Sequence, residues 1–188
     1  MKKILCLFSV IVALSFATQT WGQKYFTRDG QITFTSETPM EKIEAVNQKA
    51  TSVLDAASGQ VEFAVLIKGF QFEKALMQEH FNENYMESTK FPKATFKGQI
   101  TDMDLVDLTK DGVYPITVKG DLMIHGVTNP VVADGKLEVK NGAIHARSSF
   151  NLSPEEYGIK IPAVVRDNIA QSLKVEVAVN YELLTNGS

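Results

Sequence analysis

Apolar and polar residues alternate with period two through most of this chain, and that restricts the fold more than any other feature. A strand of this kind buries only one face, so several of them must close around a shared interior. In Val61 to Lys68, the residues Val61, Phe63, Val65 and Ile67 share one face, opposite Glu62, Ala64, Leu66 and Lys68. Ala94, Phe96, Gly98 and Ile100 oppose Thr95, Lys97, Gln99 and Thr101. Ile116, Val118, Gly120, Leu122 and Ile124 oppose Thr117, Lys119, Asp121, Met123 and His125. Near the end, Leu173, Val175, Val177, Val179 and Tyr181 oppose Lys174, Glu176, Ala178, Asn180 and Glu182. Shorter candidates are Gln31 to Ser36, Glu41 to Asn47, Lys49 to Asp55, Val131 to Val139 and Ala143 to Phe150.

Ser58-Gly59, Asp111-Gly112, Asp134-Gly135 and Asn141-Gly142 punctuate these runs as turn signals, and Asn-Gly suits a type I′ hairpin. Only two stretches look helical: Phe72 to Met86, with Leu76, Met77, His80 and Phe81 on one side, and a turn near Val164 to Ala170. The expectation is one all-β domain, an antiparallel sandwich or barrel of about eight strands with one or two short helices. A barrel of that size is either filled by its own side chains or leaves room for one small ligand. Inward-facing Gly98 and Gly120 fit a cavity and equally fit a bend in the barrel wall, so the pattern leaves both open.

The chain begins with Lys2 and Lys3, an apolar run from Ile4 to Phe16, and small or polar residues to Gly22. This order matches a secretory signal peptide, and the run is too short to span a bilayer. Residues 1–22 are therefore read as a signal peptide and 23–188 as the domain, with cleavage after Gly22 preferred over cleavage after Ala17. The expected location is the periplasm. The one cysteine, Cys6, lies inside the apolar run, so the mature domain is expected to be held by its core alone. Removing Lys2 and Lys3 from the 19 basic residues leaves 17 against 22 acidic ones, a net charge of −5. With no basic cluster interleaved with aromatics, nucleic acid is not an expected partner, and nothing beyond the signal is apolar enough to span a membrane.

The segment Gly120-Asp121-Leu122-Met123-Ile124-His125-Gly126-Val127-Thr128-Asn129-Pro130-Val131 resembles the G-D-L-T-I-H-G-V-T-K-P-V stretch of the YceI-like family, periplasmic lipid-binding barrels. His80-Phe81 through Phe91-Pro92-Lys93-Ala94-Thr95-Phe96, Tyr157-Gly158-Ile159, and Asp167-Asn168-Ile169 to Val177 agree with it in order and spacing. The likeness covers Phe63 to Tyr181. It departs before Tyr157, where Ser153-Pro154-Glu155-Glu156 replaces an arginine often found there, and in Gln31 to Asp55, which looks short and lacks a histidine.

The resemblance implies a lipocalin-like barrel whose lumen holds a long apolar chain, of polyisoprenoid or fatty-acyl type, as carrier or store. Combined with strand parity, it assigns Phe63, Val65, Ile67, Phe96, Ile100, Leu122, Ile124 and Phe150 to the lumen. Phe72, Met77, Phe81, Tyr85 and Met86 fall on the lid side, and Tyr157 beside Glu156 at the mouth. The alternative is a stress-related interaction module with a packed core and no ligand. An apolar loop at Val127 to Val132 is the candidate surface should the barrel form a homodimer.

Metal and catalytic chemistry find little footing. His80, His125 and His145 lack close ligand spacing, and His125 fits a structural hydrogen-bonding role at a strand end. Asp102, Asp104 and Asp107 lack the glycine and distal glutamate of a calcium loop. No serine elbow, phosphate loop or mature cysteine is present, so no cofactor, metal or enzyme activity is expected.

Overall fold

The computed structural model describes residues 23–185; the expected signal peptide and Cys6 lie outside the described residues. The nine strands are β1 (Lys24–Glu37), β2 (Lys42–Asp55), β3 (Gln60–Leu66), β4 (Gln71–Phe72), β5 (Lys93–Ile100), β6 (Gly112–Ile124), β7 (Val127–Lys140), β8 (Ala143–Leu152) and β9 (Leu173–Leu183). Their order is β1-β9-β8-β7-β6-β5-β3-β2-β4, and β1 also pairs with β2, so eight strands close a barrel, every neighbouring pair antiparallel. The two-residue β4 is an addition, pairing with the part of β2 that β3 does not reach.

Two tight hairpins have the backbone their sequences demand. Asn141 and Gly142 both take positive φ, 51° and 77°, as do His125 (52°) and Gly126 (79°) between β6 and β7. That is the type I′ geometry that matches strand twist. Val127 to Val132 is thus the start of β7 and not a loop.

Two other readings are corrected by pairing. Asp134-Gly135 is not a turn but mid-strand, where Gly135 pairs with Ile116 on one side and Ser148 on the other. A Cβ on Gly135 would meet the Arg147 carbonyl oxygen at 2.6 Å, so the position is open only to glycine. The three short segments between Gln31 and Asp55 are parts of two continuous strands of 14 residues each. Register shifts between Thr27 and Ile32 offset the inward parity of both strands, with Gly30 facing Ala50 and Ile32 facing Asn47. Inward Tyr25 and Thr27 therefore give way to Gly30, Ile32 and Phe34 on β1, and Ala45 and Asn47 to Ala50, Ser52 and Leu54 on β2. Paired bulges bend a sheet locally without ending it, and in sequence they read as a break in alternation.

Most helical elements gather at one end of the barrel, and the 3₁₀ turn Met103–Leu105 lies at the other. The short helix α1 (Ala75–His80) runs into a π-helical turn at Phe81–Tyr85. Residues Ala163–Asn168 form a 3₁₀ turn where a helical turn was expected. Asn47, fully buried, holds the crossover from β3 to β4: its Nδ2 donates to the Leu66 carbonyl (2.9 Å) and its Oδ1 accepts from Lys49 N (2.8 Å). Using both ends of the amide removes the cost of burying it.

Candidate functional site

The barrel interior is packed at one end and hollow at the other. Tyr25, Leu54, Leu137, Ile144 and Tyr181 form the floor, with Met103, Val106 and Leu108 from the β5–β6 connection packed against it. Above them the lumen holds a cavity of about 390 Å³, within the roughly 300–1,000 Å³ range of small-molecule sites. Its base is formed by Val61, Ile100, Ile116, Val179 and Tyr181 and its belt by Phe63, Phe96, Val118, Ala146 and Val177.

The upper wall is aromatic. Phe81 stacks on Phe34 with centroids 5.5 Å apart and meets Phe70 at 5.7 Å and Phe72 at 5.0 Å. Phe34 comes from β1, Phe70 and Phe72 from the β3–β4 crossover, and Phe81 from the turn after α1, so three segments converge on one hydrophobic patch. Met77, Tyr85 and Met86 extend this wall, and Leu122, Ile124 and Phe150 face it from β6 and β8.

Gly98 and Gly120 are cross-strand partners facing inward, and the room their missing side chains leave is taken by the Phe96 ring. A Cβ on Gly98 would meet Phe96 Cζ at 2.5 Å and one on Gly120 would meet it at 2.7 Å; each would also strike a carbonyl oxygen of the neighbouring strand, from Lys119 and Lys97. An aromatic ring laid over strand glycines restores the packing that glycine forfeits. These glycines therefore position a wall residue and do not themselves create the cavity.

Several polar groups that reach the lumen are engaged by the protein, and His80, Thr95 and Arg147 line it as well. At the base, the Tyr181 hydroxyl and Ser52 Oγ lie 2.7 Å apart, and burial pushes the Tyr181 phenol up to about 12 against the smaller opposing effect of that hydrogen bond. At the mouth, Ser36 Oγ accepts from Ala170 N (2.8 Å). Glu41 accepts from Lys74 Nζ (3.1 Å) on one oxygen and from Asn168 Nδ2 (3.3 Å) on the other. One carboxylate thus ties the β1–β2 turn to the N-cap of α1 and to the 163–168 turn. Most of the described lumen wall is apolar, so shape and desolvation dominate what it can select.

All the lumen and lid residues expected from sequence line this one cavity: Phe63, Val65, Ile67, Phe72, Met77, Phe81, Tyr85, Met86, Phe96, Ile100, Leu122, Ile124 and Phe150. Tyr157 does not. It is 2 % exposed and packs behind the wall with Ile67, Met86, Leu122 and Ile159. Burial raises its phenol pKa, assisted by Glu156 and opposed by a hydrogen bond with Asn129. The segment Pro154 to Tyr157 folds inward because its outer side is held: His125 lies 3.3 Å from the Tyr157 carbonyl through Nδ1 and 2.9 Å from Glu87 through Nε2, over the Phe91 ring at 4.4 Å. Asn129 Nδ2 adds a bond to the Glu156 carbonyl.

Sequence reasoning missed the wall given by Ile32 and Phe34 of β1, by Phe70, and by Val175 and Val177 of β9. The β9 residues were visible as an apolar face; what was missing was the closure of β1 onto β9 that brings them into the same lumen. Among the described residues no group of three or more His, Cys, Asp or Glu side chains is placed to hold a metal ion. Asp102 instead accepts from Thr117 N (3.0 Å), and Asp107 accepts from the backbone and hydroxyl of Thr109, the latter bond first among the causes that lower its pKa. No described helix is long and apolar enough to cross a membrane.

A floor sealed by side chains, an apolar lumen and a mouth framed by short helical turns define a calyx-type antiparallel barrel. A YceI-like domain model matches residues 15–182, and the chain belongs to the YceI-like family. Among solved structures, it is similar to a polyisoprenoid binding domain from Saccharophagus degradans (11% identity, 87% of this chain and 99% of that one, TM-score 0.75). It is also similar to BcnA from Burkholderia cenocepacia (12% identity, 81% and 96% covered, TM-score 0.67). A third likeness is to a YceI protein from Campylobacter jejuni (14% identity, 76% and 85% covered, TM-score 0.57). At these identities the likeness shows the fold. A comparison with curated proteins finds no match.

Proposed function

We propose that this chain is an exported carrier or store for a long apolar chain of polyisoprenoid or fatty-acyl type, held in the barrel lumen. The observation that carries the reading is the cavity of about 390 Å³ with an aromatic and aliphatic wall. Each methylene moved from water into such a lumen gains about 0.8 kcal/mol. About ten of them supply about 8 kcal/mol, comparable to the cost of immobilising a ligand, which runs from about 4 to 15 kcal/mol. A chain, and not a compact apolar molecule, is favoured because the cavity runs from the Tyr181 base to the Glu41 mouth. The structural relative described as polyisoprenoid-binding supports the same class of ligand. Location in the periplasm follows from the signal-like composition of residues 1–22.

The fit to a binding protein rests on the predominantly apolar wall, with Tyr181, Ser36 and Glu41 engaged by the protein's own partners. The rival reading, an interaction module with a packed core, requires a filled interior, which the cavity disfavours. Native mass spectrometry and organic extraction of the purified protein test the proposal. A co-purifying lipid that exchanges with an added long-chain alcohol or fatty acid is the expected result. Absence of any extractable lipid, together with no binding of Nile red, refutes it.

A further inference from the structure

The three segments that frame the mouth share an arrangement. Each places one residue in the cavity wall and turns its immediate neighbour outward: Glu41 in and Met40 out, Met77 in and Leu76 out, Val165 in and Val164 out. The outward neighbours are large and apolar, with exposures of 73 % for Met40, 61 % for Leu76 and 92 % for Val164. They belong to separate parts of the chain, and Glu41 ties those parts together by bonding both Lys74 and Asn168. A scattered apolar side chain on a surface needs no explanation, but three of them, each next in sequence to a residue of one cavity's wall and on segments tied together at its mouth, form a pattern.

We infer that this rim docks on a lipid bilayer, with Met40, Leu76 and Val164 entering the acyl boundary so that ligand passes between membrane and lumen without crossing water. The inference rests on the reading of the lumen as a lipid site, since a chain insoluble in water must be taken from and returned to a membrane. The charges at the rim say which membrane surface suits it. Lys74 lies 3.1 Å from Glu41 and Lys42 3.5 Å from Glu44, so each of these exposed cations has an acid beside it. Arg166 is flanked by Asp167. With each of these cations offset by a neighbouring acid, apolar insertion and not a basic patch carries the contact.

The test uses residues 23–188, because the described segment closes its own barrel and because residues 4–16 would bind vesicles by themselves. This segment has no cysteine, so single variants Met40→Cys, Leu76→Cys and Val164→Cys can carry a nitrobenzoxadiazole label. Leu105→Cys, exposed at the floor end, is the control site. Phosphatidylcholine vesicles should shift the emission to the blue at the three rim sites and not at position 105. The shift should be unchanged by added salt or by phosphatidylglycerol. The variant Met40→Ser/Leu76→Ser/Val164→Ser should lose at least about tenfold in vesicle partitioning while still binding Nile red in buffer.

No shift at the rim, in protein that binds Nile red, overturns the docking and leaves the proposed function standing. A shift that appears only with phosphatidylglycerol and disappears in salt overturns it as well, in favour of electrostatic adsorption. A rim shift in protein that takes up no Nile red and holds no extractable lipid supports the rim as a membrane face and refutes the lipid lumen.

Discussion

The Tyr181 to Ser52 contact at the base of the lumen permits a stability test with two independent readouts. Tyr181 is 5 % exposed and Ser52 2 %, and their oxygens lie 2.7 Å apart, each the other's partner. Tyr181→Phe keeps the ring and its packing but strands the Ser52 hydroxyl, which costs about 1–3 kcal/mol for a buried unsatisfied group. Ser52→Ala combined with Tyr181→Phe removes both polar groups and should recover part of that loss. The second readout is pH. The folded phenol titrates at about 12 against an ordinary value of 10.0, so the folded state holds this proton more tightly than the unfolded one. Its contribution is complete below about pH 10 and is lost as pH rises through about 12. At about 1.4 kcal/mol for each pH unit of displacement, the loss is about 3 kcal/mol. Urea unfolding followed by circular dichroism between pH 8 and 12 measures it, and Tyr157, also raised, is common to both proteins. Equal alkaline losses in the wild type and in Tyr181→Phe would refute the assignment.

Filling the belt should displace ligand without unfolding the domain: Ala146→Phe takes the room of roughly four methylenes, so Nile red or extracted lipid should bind about a hundredfold more weakly, with the thermal midpoint little changed. Unchanged affinity would mean that the ligand lies elsewhere. Gly120→Ala should cost about 1–3 kcal/mol by overpacking against Phe96 and the Lys97 carbonyl, and Phe96→Leu in the same chain should return the part due to the ring. Denaturant midpoints of the wild type and these two variants separate the two contributions. His125→Leu removes the contacts to Glu87 and Tyr157 and should lower stability by about 1–3 kcal/mol, with amide exchange rising first in residues 87–91 and 154–158; protection unchanged there would show that the clip holds nothing.

What was legible in the sequence was local. Alternation placed Phe63, Val65, Phe96, Leu122 and Ile124 on inward faces because period two follows from the pleat itself, whatever the partner strand. Asn141-Gly142 marked a hairpin because few residue pairs accept positive φ twice. The tertiary structure decided everything that depends on which strands meet. Offset bulges in β1 and β2 disguised two long strands as three short ones, and Asp134-Gly135 was drawn into a strand by neighbours on both sides. Closure of β1 on β9 brought Phe34 and Val177 to a lumen that neither segment announces. Tyr157 was pulled behind the wall by contacts from Asn129 and His125. The hollow itself belongs to this second group: alternation says which side chains point inward, but whether they meet or leave a gap depends on the strand number, the tilt and the ring of Phe96 lying over two glycines.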